Sequence, residues 1–402
     1  MKALRYTLYV IVFLVVVDQA VNFVGLRGGT FQGRRVAPFD PPIFSDAQRT
    51  SLLQIDAAAR SGDYPPEILP FDAELGWAPR PGDRDRWGEY DEHGARADGT
   101  PLSVVRPPDR LRVAALGCSF THGRSVPSGE TWACQLERLR SGQREVANLG
   151  VPDYGADQAL LRQRKELERL KPDEVWFGWR PAASLRITTV YPAALYHSRD
   201  QLAFKPRFEL DGSTLRLVPN PARSAADYMR ICTDQRDFLQ AIDGSDLWIA
   251  RVPLAWAPFG TNWRHRFALT RLLLTIDEGG QREAEPWLAD RNTPVARLLQ
   301  AIVLQMAQEA AAASARFRLI VLPDRADLAW RRRTGLQGYW ADQVVQWSAR
   351  GVEVLDVSPA LEAAGAADRI DLWLDDGHYG PELNAAVAEF LATRLSRAVA
   401  GH

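Results

Sequence analysis

Cysteine is scarce in this chain. Cys118, Cys134 and Cys232 are the three present, and no two fall at a Cys-x-x-Cys spacing. That excludes a zinc knuckle and makes a disulfide scaffold a poor reading, although one bridge stays open. A dominant charge is also missing. Lys and Arg total 49 against 50 Asp and Glu, so no global field draws the chain to nucleic acid. There is no Gly-rich phosphate loop and no His-Glu-x-x-His, which removes two common nucleotide and zinc readings. No internal repeat or long low-complexity tract is found. No metal or other cofactor is expected.

What is present is an ordinary globular balance, 46% hydrophobic and 25% charged. The 402 residues suffice for one large domain with insertions or two ordinary ones. Thirteen Trp is a high count, to be divided between core and a substrate groove.

The N-terminus carries a targeting signal. Lys2 and Arg5 precede an apolar run over residues 8–17, broken by Asp18 and continued to Leu26. The strict run is shorter than the ~20 residues of a full span and fits the core of a secretory signal. A small-x-small cleavage site is not evident, since Asp18 lies two residues before Ala20. Residues 1–26 therefore read as an uncleaved signal anchor, with a signal peptide as the alternative. The orientation expected is N-terminus inside and the remainder outside. This implies a single-pass inner-membrane protein with a periplasmic domain. A buried edge element is the competing reading, and the basic residues before the run weigh against it.

Residues 27–82 are rich in Pro, Gly, Asp and Arg and read as a linker or extended arm packed on the main domain. Residues 83–398 read as an α/β domain. Short apolar segments at 111–116, 145–149, 174–177, 317–322 and 352–357 are the expected strands. Helices are expected at 129–139, with Ser128 as N-cap, and at 156–170, 295–315, 339–348 and 381–395. Such alternation implies a parallel sheet of about five strands with helices on both faces. An insertion at about 181–294 interrupts it and is expected to cover or flank the site. It holds a hairpin around Asp211-Gly212 and a further strand at 247–252.

Two segments carry chemistry. Gly117-Cys118-Ser119 follows the first strand directly, and ligands in such sheets sit beyond the strands' carboxyl ends. A Ser hydroxyl needs a base to become a nucleophile; the bland alternative is a turn Ser capping a helix. Asp375-Asp376-Gly377-His378 precedes the closing helix. A His can take the Ser proton, and a carboxylate can fix its tautomer. The bland alternative there is an acidic loop. His122 can line a pocket, or make a structural hydrogen bond. Cys118 reads as a small buried residue behind the Ser. Trp256, Trp263 and His265 can form a sugar-stacking platform, or simply pack the insertion down. Arg331-Arg332-Arg333 reads as a solvated helix face.

Together these blocks resemble the SGNH (GDSL-type) hydrolase superfamily, in its bacterial extracytoplasmic members. The resemblance runs from about Leu75 to Leu395. It takes in Leu75-Gly76-Trp77-Ala78-Pro79 and His93-Gly94-Ala95-Arg96, then Leu116 to Gly123 with Glu130-Thr131-Trp132. A second block runs from Asn148 to Gly155, with Gln158 following, and the last is Asp375-x-x-His378. The resemblance implies a flavodoxin-like three-layer α/β/α fold. It implies a serine-dependent esterase or deacetylase, or an O-acyltransferase for cell-surface polysaccharide, with an ester or acylated glycan as partner. A catalytically impaired module binding glycan or protein is the third reading. Ser119 would attack and His378 would shuttle the proton. Asp375, by strict spacing, or Asp376 would orient the imidazole. Gly150, Asp153, Arg180 and His122 are the candidates around the oxyanion and substrate.

Two departures from the family pattern stand out. Asp153 occupies the place of the usual second-block Gly, where a carboxylate is unhelpful unless it turns away. The third block, Trp176 to Ser184, has no Asn; Arg180 or Ser184 is left as the replacement donor. Loss of one oxyanion donor typically costs ~100–1000-fold in turnover.

Overall fold

A computed structural model describes residues 2–399, apart from 27–29, 33, 39–45, 66–68, 85–87, 98–101, 104–107, 141–142, 197–203, 258–259 and 261. Nine strands matter here: β1 (Glu89–Tyr90), β2 (Arg96–Ala97), β3 (Leu111–Gly117), β4 (Arg144–Gly150), β5 (Glu174–Trp179), β6 (Arg207–Asp211), β7 (Thr214–Val218), β8 (Arg316–Val321) and β9 (Glu353–Asp356). The helices that position them are α1 (Lys2–Ala20), α2 (Asp46–Ser61), α3 (Ser119–His122), α4 (Trp132–Leu139), α5 (Ala156–Leu170), α6 (Ala268–Gly280), α7 (Pro294–Ala312), α8 (Arg325–Thr334), α9 (Ala341–Ser348) and α10 (Pro381–Val399).

The main sheet has the order β9-β8-β5-β3-β4-β2-β1. Its five long strands are parallel, and β2 and β1 add an antiparallel edge through the Arg96–Asn148 pairing. Counted among themselves, the parallel strands run 2-1-3-4-5, the flavodoxin-like doubly wound order. The winding reverses between β3 and β5. The carboxyl end of β3, where Ser119 follows, is therefore the switch point where such sheets open a crevice.

Alternation along each strand divides two cores. Val113 and Ala115 of β3 face one layer with Trp132, Leu136, Leu328, Leu383 and Leu391. Ala114 and Leu116 face the other with Leu160, Leu298, Ile302 and Trp347. Period-two side-chain direction thus places α4, α8 and α10 on one face and α5, α7 and α9 on the other. Each fully buried Leu or Trp of these layers contributes about 1.5–3 kcal/mol.

The insertion adds the β6–β7 hairpin, paired Asp211 to Thr214 around Gly212, and a group of short helices. Residues 247–252 are not a strand: Leu247–Arg251 is helical, because the Asp246 carboxylate accepts the Ile249 N–H at 2.8 Å and caps the turn. Likewise Thr131, not Ser128, caps α4, accepting the Cys134 N–H at 3.3 Å. Residues 27–82 hold α2 and a short pairing of Phe71–Asp72 with Gly76–Trp77. Trp77 donates to the Pro152 carbonyl at 2.9 Å, and Tyr154 donates to the Trp77 carbonyl at 2.6 Å. This pins the Leu75–Trp77 stretch to the loop after β4. Lys205 of the insertion and Asp157 of α5 form an ion pair with no solvent exposure on either side chain.

Among the described residues one helical stretch, Arg5–Gly25, is long and apolar enough to cross a membrane; none of its residues is fully buried, and Val17, Asp18, Val21 and Gly25 are half-buried.

Candidate active site

The Ser119 turn rests on glycine. Gly117, Gly150 and Gly178 stand side by side in the register of β4, β3 and β5. A Cβ on Gly150 would lie 2.3 Å from the His122 amide nitrogen, and one on Gly178 would lie 2.1 Å from Thr121 Oγ1. The absent side chains let α3 lie directly across the strand ends. Gly150 therefore acts through close approach; its own N–H donates to Asn148 Oδ1 at 3.2 Å. Cys118 is buried behind the turn.

Arg96, on the edge strand β2, fastens the loop that follows. Its guanidinium donates to the carbonyls of His122 at 2.7 Å and Gly123 at 2.5 Å, to that of Val126, and to Ser128 Oγ at 3.1 Å. His122 belongs to this framework. It is fully buried, with Nε2 2.8 Å from the Tyr90 hydroxyl and Nδ1 3.5 Å from Arg96. That placement favours the structural hydrogen bond over the pocket role, the two readings open for it from sequence.

The second piece comes from the loop before α10. Trp373 and Tyr379 bridge, Leu374 N–H donates to the His378 carbonyl at 2.9 Å, and Gly377 takes φ 81° to close the turn. His378 Nε2 lies 2.8 Å from Ser119 Oγ across 259 residues of sequence. Its other face meets Asp376: Nδ1 is 3.0 Å from Oδ1, and the same oxygen accepts the His378 backbone N–H at 3.2 Å. The Nδ1 separation suits a hydrogen bond, but the N–H direction is poorly aligned. Catalytic hydrogen bonds commonly tighten only when substrate binds.

Asp375, favoured by strict spacing, is exposed, and among the described residues it makes no polar contact. The turn directs residues 376 and 378 to one side and Asp375 to solvent. Asp376 is also held from the nucleophile's own loop. Ser125 Oγ donates to its Oδ2 at 2.5 Å, and Arg124 Nε is 3.9 Å away. Burial alone would raise the Asp376 pKa. The close His378 ring and its charge, with the Ser125 hydroxyl and the His378 backbone N–H, outweigh it and hold the carboxyl well below the usual range. Ser125 escaped the sequence reading because nothing local ties it to a residue 251 positions away.

Two of the backbone donors expected for an oxyanion are open. Among the described residues no acceptor meets the N–H of Ser119 or of Asp153. Asp153 holds φ 65°, a left-handed conformation that Asp tolerates better than most residues. Its carboxylate turns to Arg186 Nη2 at 3.2 Å. The two side chains considered as third donors are engaged. Ser184 Oγ donates to the Pro181 carbonyl at 2.7 Å and accepts from Trp179 Nε1 at 3.1 Å. Arg180 pairs with Asp324 Oδ2 through Nε at 3.1 Å and Nη2 at 2.5 Å, with its guanidinium 4.9 Å from the Phe120 ring centre. Asp324 is one of a buried acidic pair. Burial and the Asp324 carboxylate push Asp327 up to about 7, while Tyr339 donates to it at 2.6 Å.

The hollow lined by Cys118, Tyr154, Arg180, Ala183 and Ser184 measures about 10 Å³, the room of about one water. Two wider cavities are lined from the insertion, one of them also by Pro294 and Val295 of α7. Trp256 and His265 are buried while Trp263 is exposed, so these three do not form a common stacking platform. Among the described residues no His, Cys, Asp or Glu cluster could hold a metal ion.

No family model and no curated protein matches the sequence. Solved structures are similar in outline. One is the psychrotrophic esterase EstA from Pseudoalteromonas sp., at 11% identity over 72% of this chain and 100% of that one, TM-score 0.36. Another is a GDSL-like lipase from Bacteroides thetaiotaomicron VPI-5482, at 11% identity over 74% and 91%, TM-score 0.32. At identities and TM-scores this low the likeness carries no functional assignment.

Proposed function

We propose that this chain is a serine-dependent acyl-ester hydrolase of the SGNH type, anchored by α1 with its α/β domain outside the inner membrane. The observation that carries the reading is the 2.8 Å approach of His378 Nε2 to Ser119 Oγ, with Asp376 on the opposite ring nitrogen. Two distant parts of the chain, the Ser119 turn and the Asp376–His378 turn, supply a nucleophile, a base and an orienting carboxylate.

The chemistry follows from that order. His378 Nε2 takes the Ser119 proton as Oγ bonds to the acyl carbon. The carbonyl electrons move onto oxygen, which in this reading accepts from the N–H groups of Ser119 and Asp153. Collapse of the tetrahedral intermediate breaks the C–O bond, and His378 returns its proton to the departing alkoxide. Water, deprotonated by His378, then releases the acyl group as acid and restores Ser119. Asp376 stabilises the imidazolium in both steps.

A competing reading is a binding protein that keeps the pair without turnover. Its support is the engagement of both Arg180 and Ser184, which leaves two backbone donors where the family pattern has a further side chain. Incubation with a fluorophosphonate probe and p-nitrophenyl acetate separates the two. The hydrolase reading expects labelling and turnover that both vanish in Ser119→Ala. A folded protein without either would establish the binding reading instead. Transfer to an oligosaccharide outpacing hydrolysis would reassign the site to acyl transfer.

A further inference from the structure

The segment from Trp263 to Gly280 is built unlike the rest of the insertion. Helix α6 buries Ala268, Thr275, Glu278 and Gly279 on one side. The other side presents Leu273 at 58% exposure and Ile276 at 51%. These two lie three residues apart and so share a helix face. The turn before it, Trp263–Arg266, adds Trp263 at 67% and Phe267 at 42%, packed edge to face with ring centres 5.7 Å apart. Exposed Arg264 lies over the Trp263 ring at 5.7 Å, and Arg266 is exposed beside it. An aromatic pair, two arginines and the Leu273–Ile276 helix face, which also carries exposed Asp277, are left uncovered along this segment.

Its position in the fold says what covers it. Helix α6 is fixed to the last turns of the N-terminal apolar stretch. Asp18 Oδ1 accepts the Leu269 N–H at 2.8 Å, capping the start of α6. Val21, Leu26, Phe31 and Val36 pack against Ala268 and Leu272. Just beyond Val21 the stretch leaves Phe23 and Val24 exposed. A span inserted over Arg5–Gly25 therefore sets α6 beside its last two turns, next to where the chain leaves the hydrocarbon. Trp and Phe with neighbouring Arg are the residues that favour that level of a bilayer, apolar ring inward and cation toward the headgroups.

We propose that Trp263–Gly280 is a bilayer-docking surface. Resting on the reading of α1 as a membrane anchor, it places α6 in the lipid–water interface and holds the α/β domain at a set height on the membrane. The occupant is the phospholipid interface itself, because α6 is joined to the span through the Asp18–Leu269 contact and the shared cluster of Val21, Leu26, Ala268 and Leu272. The anchor then acts as more than a flexible tether.

The test uses the full chain in vesicles of phosphatidylethanolamine and phosphatidylglycerol. Single nitroxides are placed at Leu273→Cys, Ile276→Cys, Val12→Cys and the exposed Ile370→Cys, in a Cys134→Ser background; Cys118 and Cys232 are buried. Collision with oxygen against a water-soluble nickel complex reads depth. The proposal expects Val12 deep in hydrocarbon, Leu273 and Ile276 oxygen-favoured at shallow depth, and Ile370 nickel-favoured. If Val12 reads lipid while Leu273 and Ile276 match Ile370, docking is overturned and the anchor stands. If Val12 also reads water, the anchor reading fails and docking falls with it. Shielding of Leu273 from both reagents, with dipolar broadening between labels, would give the surface to a second copy of the chain and overturn the bilayer.

Discussion

Asp376→Asn is expected to lower kcat/KM for p-nitrophenyl acetate by roughly 30- to 900-fold, while Asp375→Asn stays within about twofold. The magnitude follows from charge and distance. In the transition state His378 carries a full positive charge, and its Nδ1 lies 3.0 Å from Asp376 Oδ1. Unit charges at that separation attract by about 1.4 kcal/mol in bulk water and about 5.5 kcal/mol at an effective dielectric of 20. The Asp376 side chain is 36% exposed, so water screens part of this. A span of about 2–4 kcal/mol remains, and each 1.36 kcal/mol is tenfold in rate. Asn is nearly isosteric and can still accept from Ser125, which limits the change to charge and tautomer. Asp375 faces solvent and lends His378 no contact. The assay is initial-rate kinetics on folded variants, checked by thermal melting. Equal losses at the two positions, or an Asp376→Asn enzyme within threefold of the parent, would refute this account of the orienting carboxylate.

Two further outcomes concern the frame. Lys205→Met should cost about 3–5 kcal/mol in denaturant unfolding, because it strands the Asp157 carboxylate without solvent. The double variant Lys205→Met, Asp157→Leu should recover most of that loss, and a double cost equal to the sum of the singles would contradict the pairing. The second concerns pH. Asp327 has its folded pKa raised to about 7, above the unfolded carboxyl near 3.9. The folded state then binds the extra proton between those values, so this group's contribution falls as pH rises from about 4 to about 7 and is flat beyond. Relative to Asp327→Asn, the parent should lose stability across that window. Chemical unfolding at pH 4.5 and 7.5 measures the difference, and parallel curves would remove Asp327 as its source.

The parallel core was legible because it is apolar on both faces. Segments such as LRVAAL and FRLIVL have nowhere to go but the middle of a covered sheet, and β3 and β8 sit there. Their order was legible in kind, since alternating strands and helices wind one way. The insertion was not. Its helices are short and held by side-chain caps such as Asp246 on Ile249, so periodicity has too few turns in which to appear. The Ser119 and His378 blocks announced themselves by position after a strand and before the last helix. Choosing between Asp375 and Asp376 required the turn itself, where residues two apart point the same way.

Asp153 is where a rule broken locally is answered elsewhere. The place calls for a left-handed residue with an exposed N–H, and a non-Gly residue there costs about 1 kcal/mol or more. Asp meets the conformation at φ 65° and leaves its N–H open, but it brings a negative charge toward a forming oxyanion. Arg186 answers the charge: Nη2 holds the carboxylate at 3.2 Å while Nη1 donates to the Tyr154 carbonyl at 3.0 Å. The insertion's first turn, Pro181–Thr188, supplies that arginine. On the proposed hydrolase reading, the segment that lacks the third donor supplies the cation that turns the Asp153 charge away from the second one. That reading couples the two departures from the resembled pattern through one side chain and draws the segment after β5 into the proposed site.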